Sequence, residues 1–279
     1  MRRHAPFKMK PVYSHYYENS CLFHGSILNI MGTGFDIIFI GKSKSDATKI
    51  WDQISSLLEL LHARLNRFDE SSEIAFVNLN AHKQAIKTSD YLWEILSDNQ
   101  QYFEQTNGIF DITLGNFSQI ELNETEKTVF FRSGNTKIDL GGYAKGYAIE
   151  KIKKILINNN IRDAFVDFGN SSVLAMGKHP HGDSWKLIIK NPFDQNIILN
   201  EEELSNKNIS TSGNMLTHTM HIKNTRTGKF NDERKMVTVI SDNAIEAEVI
   251  STSLMIAQPD EVDSIIQRFD IDKYKIYYL

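Results

Sequence analysis

The chain has a single cysteine, Cys21, among 279 residues. One thiol cannot close an internal disulfide or build a cysteine-based zinc site. Cys21 follows Glu18, Asn19 and Ser20 rather than an apolar stretch, which marks an ordinary thiol and not a lipid attachment site. Proline is scarce, at 5, and glycine modest, at 15, so long disordered linkers are not expected. No apolar run reaches the roughly 20 residues that span a bilayer. Arg2, Arg3 and Lys8 lie near the N-terminus without an apolar segment behind them. A cytoplasmic protein is therefore expected, or a periplasmic one if a leader has been removed. A basic excess is also missing. The formal net charge of -4 leaves no electrostatic footprint for nucleic acid. What is present is 41% hydrophobic and 24% charged, a globular balance with enough length for one large domain or two modest ones.

Periodicity supplies the elements. Ile50, Ile54, Leu57, Leu58, Leu61 and Leu65 recur at spacings of three and four, which predicts a helix over 45–67. A second is expected over 89–106, with Ser89 as N-cap, Gly108 as stop, and Leu92, Ile95, Leu96 and Phe103 as apolar face. Further helices are expected at 144–158, 244–257 and 260–268, the last started by Pro259-Asp260. Strands are expected within 27–40 on either side of Met31-Gly32-Thr33-Gly34, around 129–131 and 137–138, over 164–176 and 185–189, within 209–222 on either side of Ser212-Gly213-Asn214, and at 236–241 and 274–278. The turn 177–183, with His179 and His181, reads as a hairpin connection. Residues 1–25 have no clear period, which sets an N-terminal arm at 1–26 and one domain at 27–279. Strands outnumber helices and pair like hairpins, so the fold class is α+β, with mainly antiparallel sheets flanked by helices.

Chemistry concentrates in a few places. In 137–148 an apolar run ends in Asp139, turns through Gly141 and Gly142, and enters a helix with Lys145 in its first turn. Glycines let backbone approach a ligand closely, and a helix N-terminus offers free N–H groups and a positive dipole end. The segment fits a plain strand–turn–helix junction, or a site for a phosphate-bearing ligand in which the Gly142 carbonyl meets a metal. It is neither a Walker A loop nor a GxGxxG fingerprint. A lysine beside the positive dipole end is unfavourable, which argues for a functional role. Ile109, Phe110 and Asp111 follow Gly108. They form either a cap leading into a strand or a loop that packs Phe110 near a ligand and aims Asp111 at it. Glu248 and Thr252 lie four apart on one helix face bordered by Ser251. Such oxygens suit a hard cation such as Mg²⁺; a solvated surface pair is the alternative. His221 can accept a proton near neutral pH, and His218 lies close by in sequence.

In order along the chain, these segments resemble the ApbE family of FAD:protein FMN transferases. Met31-Gly32-Thr33 resembles its opening M-G-T, and Phe68 with Ser72-Glu73-Ile74 and Asn78 its aromatic followed by S-E-I-x-x-x-N. Residues 107–113 resemble N-G-x-F-D-I-T, and 138–148 match I-D-L-G-G-x-A-K-G-Y-A almost throughout. Ser210-Thr211-Ser212-Gly213 resembles A-T-S-G, 221–228 H-I-I-D-P-R-T-G, and 247–254 A-D-A-L-A-T-A-L. The resemblance implies an ApbE-like, T-fold-like architecture and a Mg²⁺-dependent transferase of a phosphorus-containing group. Such an enzyme moves FMN from FAD to a threonine or serine hydroxyl of a target flavoprotein and releases AMP. An FAD-binding protein with weak or no turnover, and an Mg²⁺-dependent FAD pyrophosphatase, are the alternatives. It further implies FAD contacts at Met31, Phe68, Ile109, Phe110, Asp111, Asp139, Lys145 and Ile222. Gly142, Glu248, Ser251 and Thr252 would form the metal site, with His221 as the base. No nucleic acid partner and no membrane span are expected. The chain departs from the family pattern at Glu248, where an aspartate is usual, and at Asn224-Thr225, where D-P is usual.

Overall fold

The structure, a computed structural model, describes residues 12–214 and 222–279. The chain starts with an edge strand, β1 (Val12–Tyr17), then forms the hairpin β2 (Leu22–Ile30) and β3 (Thr33–Ile40). Helices α1 (Lys44–Leu65) and α2 (Glu73–Asn80) follow, then β4 (Ile86–Lys87), α3 (Asp90–Gln105), β5 (Ile120–Asn123), β6 (Thr128–Phe131) and α4 (Ala144–Asn158). Five strands come next: β7 (Ala164–Phe168), β8 (Ser172–Met176), β9 (Trp185–Asn191), β10 (Asp194–Leu204) and β11 (Lys207–Gly213). The described chain closes with β12 (Lys235–Ser241), α5 (Ala244–Ile256), α6 (Val262–Ile266) and β13 (Ile271–Tyr278).

The main sheet has eight strands in the order β1-β2-β3-β7-β8-β11-β12-β13, every pair antiparallel. Its central strands are covered on both faces, which explains their near-continuous apolar runs. Along β8, Leu174 and Met176 face the helices, whereas Val173 and Ala175 face the β9–β10 ribbon. Along β12, Val237 and Val239 join the helical side, and Met236 and Ile240 join the ribbon side. This is the period-2 alternation of a strand with two buried faces. Helix α1 is capped by Ser43, whose hydroxyl accepts from the Asp46 N–H, and it buries Ile50, Ile54, Leu58, Leu61 and Leu65. Among the described residues, no helix is long and apolar enough to cross a membrane.

The α+β class and its antiparallel sheets are as expected, and the helices at 45–67, 89–106, 144–158 and 244–257 are found within one or two residues. Residues 12–25 are a correction, because they build β1 and the start of β2 rather than an irregular arm. Strand β1 lies at an edge with nearly every residue exposed, so it carries no apolar alternation to read. The turn 177–183 is not a hairpin. It leads from β8 in the main sheet to β9, which pairs with β10. Residues 137–138 are not a strand either. Asn78 replaces a strand neighbour there: its Oδ1 accepts from the Ile138 N–H at 2.7 Å, and its Nδ2 donates to the Ile138 carbonyl at 3.0 Å. Helix α6 is shorter than 260–268 and has no side-chain cap. The strand expected after Asn214 falls largely on 215–221, outside the described residues.

Lys235, at the start of β12, is only 4% exposed. Among the described residues its ammonium has no hydrogen-bond or ion-pair partner, and the Tyr278 ring lies 5.8 Å away. Burial lowers its pKa, partly opposed by the Glu233 charge. Between that lowered pKa and the ordinary lysine value of 10.5, the unfolded chain binds more protons than the folded one, so stability rises with pH. Lys235→Met should remove this slope and raise Tm at pH 7 by roughly 2–4 °C, about 1 kcal/mol. Thermal melts of both proteins across that window check it.

Candidate active site

Gly146 decides how α4 meets α5. A Cβ there would stand 2.6 Å from the Ala244 carbonyl oxygen and 2.9 Å from the Ile245 Cα. Only glycine lets two backbones approach so closely. Glu248 lies one turn beyond Ala244 on α5, so this crossing delivers its carboxylate to the first turn of α4. Oε1 pairs with the Lys145 ammonium, and Oε2 accepts the Gly146 N–H. Tyr143, the N-cap of α4, provides no side-chain cap. Glu248 therefore caps that helix from across the interface. It is 2% exposed, and a buried carboxylate persists only with partners of this kind.

Hydroxyl groups surround the same end of α5. The fully buried Ser251 Oγ lies 3.0 Å from Ser210 Oγ and 2.9 Å from Ser212 Oγ, and it donates to the Glu248 carbonyl at 3.1 Å. Ser212 Oγ is also 3.3 Å from Thr252 Oγ1. A Cβ on Gly142 would stand 3.3 Å from Thr252 Oγ1 and 3.4 Å from the Phe110 ring. Glycine thus keeps a gap open between the Gly-Gly turn, Thr252 and Phe110. The side-chain donors gathered here, a carboxylate and hydroxyls, are hard oxygens and fit Mg²⁺ rather than a thiophilic metal. No group of three or more His, Cys, Asp and Glu side chains able to hold a metal occurs among the described residues. A cation here would complete its shell with water or ligand oxygens, as Mg²⁺ does.

Asp111 does not point at open space. Its Oδ1 accepts from Thr113 N and Thr113 Oγ1, both at 2.6 Å, and its Oδ2 from Gly115 N at 2.9 Å and Phe117 N at 3.3 Å. All four bonds organise its own loop, so its place in the site is as the tie that shapes 111–117. Ser251, similarly engaged, braces α5 against β11. Asp139 reaches Arg67 at 3.1 Å through Oδ2 and accepts the Gly141 N–H at 3.0 Å through Oδ1. Arg67 lies over the Phe68 ring, its Cζ 4.6 Å from the centroid.

Gly142, Phe110, Lys145, Glu248, Ser251 and Thr252 thus form one group. Phe68 and Asp139 form a second, joined to the first by the turn 139–142. Ile109 and Ile222 are buried in the core beside them. Thr225 Oγ1 donates to the Ile109 carbonyl at 3.0 Å, a link that a proline at 225 would lack. Met31 is tied to α1 instead: its N–H donates to His62 Nδ1 at 3.0 Å, and burial lowers the His62 pKa, favouring the neutral accepting ring. His221 and His218 lie outside the described residues. Position alone gave no sign of Arg67. Ser210 and Ser212 could have been found, because alternate residues of a strand share a face.

Comparison with known proteins decides the relationship. The model of the ApbE family matches residues 31–128 and 114–275. The chain belongs to the ApbE family. An FAD:protein FMN transferase of Chlamydia pneumoniae is 24% identical over 264 residues, covering 80% of this chain and 82% of that protein. One from Klebsiella pneumoniae (strain 342) is 21% identical over 287 residues, covering 88% and 82%. The ApbE fold is shared with the flavin transferase ApbE from Vibrio cholerae, at a TM-score of 0.77 and 19% identity over 96% of this chain and 97% of that one. It is also shared with the ApbE protein from Thermotoga maritima, at a TM-score of 0.77 and 18% identity over 94% and 93%. These ApbE structures bear out the antiparallel α+β expectation.

Proposed function

We propose that this chain is a Mg²⁺-dependent FAD:protein FMN transferase. The observation that carries the reading is Glu248, a buried carboxylate placed by the Gly146 crossing beside Lys145 and one helical turn from Thr252, which lies against Gly142. Family membership supports the same chemistry. FAD binds with its pyrophosphate at the N-terminus of α4, where Lys145 and the positive end of the helix dipole meet negative charge. Glu248, Thr252 and the Gly142 carbonyl would hold Mg²⁺, which supplies charge neutralisation at the phosphates when bound. Phe68 offers an exposed aromatic face to a ring system, and the buried Phe110 walls the gap beside Gly142. A threonine or serine hydroxyl of the target protein attacks the FMN phosphorus. Its P–O bond to the bridging oxygen breaks, and AMP leaves with that oxygen. His221 takes the hydroxyl proton. The hydroxyls of Ser210, Ser212 and Ser251 keep α5 in register with β11, so that Glu248 and Thr252 stay in place.

The purified protein should bind FAD and should release AMP only when Mg²⁺ and an acceptor flavoprotein are both present. Separation of AMP, FMN and FAD after incubation tests this. Free FMN formed without an acceptor would replace transfer by hydrolysis. Bound FAD with neither AMP nor FMN would remove turnover altogether.

A further inference from the structure

We propose that Arg67 is a positioning residue that turns Phe68 into a one-sided stacking platform for a planar ring of the ligand. The proposal rests on the FAD reading above and adds to it a residue that the motifs do not single out. Phe68 is 82% exposed, an unusual position for a large apolar ring in a folded chain. It is nevertheless fixed. The Phe68 N–H donates to Asn66 Oδ1 at 3.1 Å, just past the end of α1, and Ser72 Oγ donates to the Asn66 carbonyl at 2.8 Å. The guanidinium of Arg67 covers one face of the ring, at 4.6 Å, well within cation–π range. The high exposure leaves the rest of the ring to solvent, and an aromatic ring offers two faces for stacking.

Arg67 is in turn fixed by Asp139, whose second oxygen holds the Gly141 N–H. The chain of contacts Gly141–Asp139–Arg67–Phe68 links the platform to the glycine turn beside Thr252. Asp139 then acts through Arg67, setting the height and tilt of the ring relative to the phosphate end. Arg67 is 39% and Asp139 23% exposed, so the pair contributes little to overall stability. Its loss should show in ligand binding rather than folding.

Fluorescence titrations with FAD, FMN and AMP test the proposal, on wild type, Arg67→Met, Arg67→Lys, Phe68→Leu and the Arg67→Met/Phe68→Leu double variant. Arg67→Met should weaken FAD binding about tenfold, with partial rescue in Arg67→Lys. The double variant should bind no worse than about the weaker single variant, because both remove one platform. The ligand-free melting temperature should not move. The fragment whose affinity falls with FAD, either FMN or AMP, carries the stacked ring. Unchanged FAD affinity in Arg67→Met would overturn the proposal. So would multiplying losses in the double variant, or a loss on FAD that neither fragment reproduces. Wild type that fails to bind FAD would defeat the functional reading itself, and the platform with it.

Discussion

Glu248→Gln should lower Mg²⁺-dependent AMP release by on the order of a hundredfold or more, while FAD affinity stays within about threefold of wild type. The substitution keeps the length and shape of the side chain, and its amide oxygen can still accept the Gly146 N–H. It removes the negative charge that, among the described residues, pairs with Lys145 and that would hold a cation beside Thr252. Lys145 is left without its partner. Breaking a buried pair costs about 3–5 kcal/mol, and the partial exposure of Lys145 favours the low end of that range. A urea denaturation series reads that loss, and isothermal titration with Mg²⁺ reads the metal. Equal turnover in the variant would refute the role of Glu248.

Gly146→Ala should destabilise the protein by about 1–3 kcal/mol and reduce turnover along with it. Helix propensity argues the other way, since Ala is better than Gly in a helix interior by about 1 kcal/mol. The clash wins because the new Cβ would meet backbone, the Ala244 carbonyl oxygen and the Ile245 Cα, and neither can rotate away. Helices α4 and α5 must separate, and Glu248 then loses its reach to the Gly146 N–H. Denaturation midpoints and AMP release measured on the same preparation check both effects. A variant as stable and as active as wild type would show that the close crossing does not place the site.

Much of this was legible in the sequence because it depends on local pattern. The apolar stripes of α1 and α3 and the cap at Ser89 have recognisable spacing. Glu248 and Thr252 share a face because they lie four apart on one helix. Other features depend on partners far away in the chain and have no local signature. Strand β1 is specified by pairing with β2, not by its own alternation. The β9–β10 ribbon exists because the central sheet needs cover on its second face, which a turn-rich stretch such as 177–183 does not reveal. Within the site, the motifs named Asp111 and Ser251 without showing which way they face. The structure turns the Asp111 carboxylate into its own loop and engages the Ser251 hydroxyl with β11. Arg67 was missed because its meaning comes from Asp139, which lies far along the chain in another loop.

Transfer itself is tested most directly by mass spectrometry of a candidate acceptor flavoprotein after incubation with this protein, FAD and Mg²⁺. The account predicts a mass increase of one FMN group on a single threonine or serine peptide, matched by an equal amount of AMP and absent with Glu248→Gln. An unmodified acceptor in a reaction where FAD is bound and Mg²⁺ is present, with no AMP formed over a panel of acceptors, would contradict it.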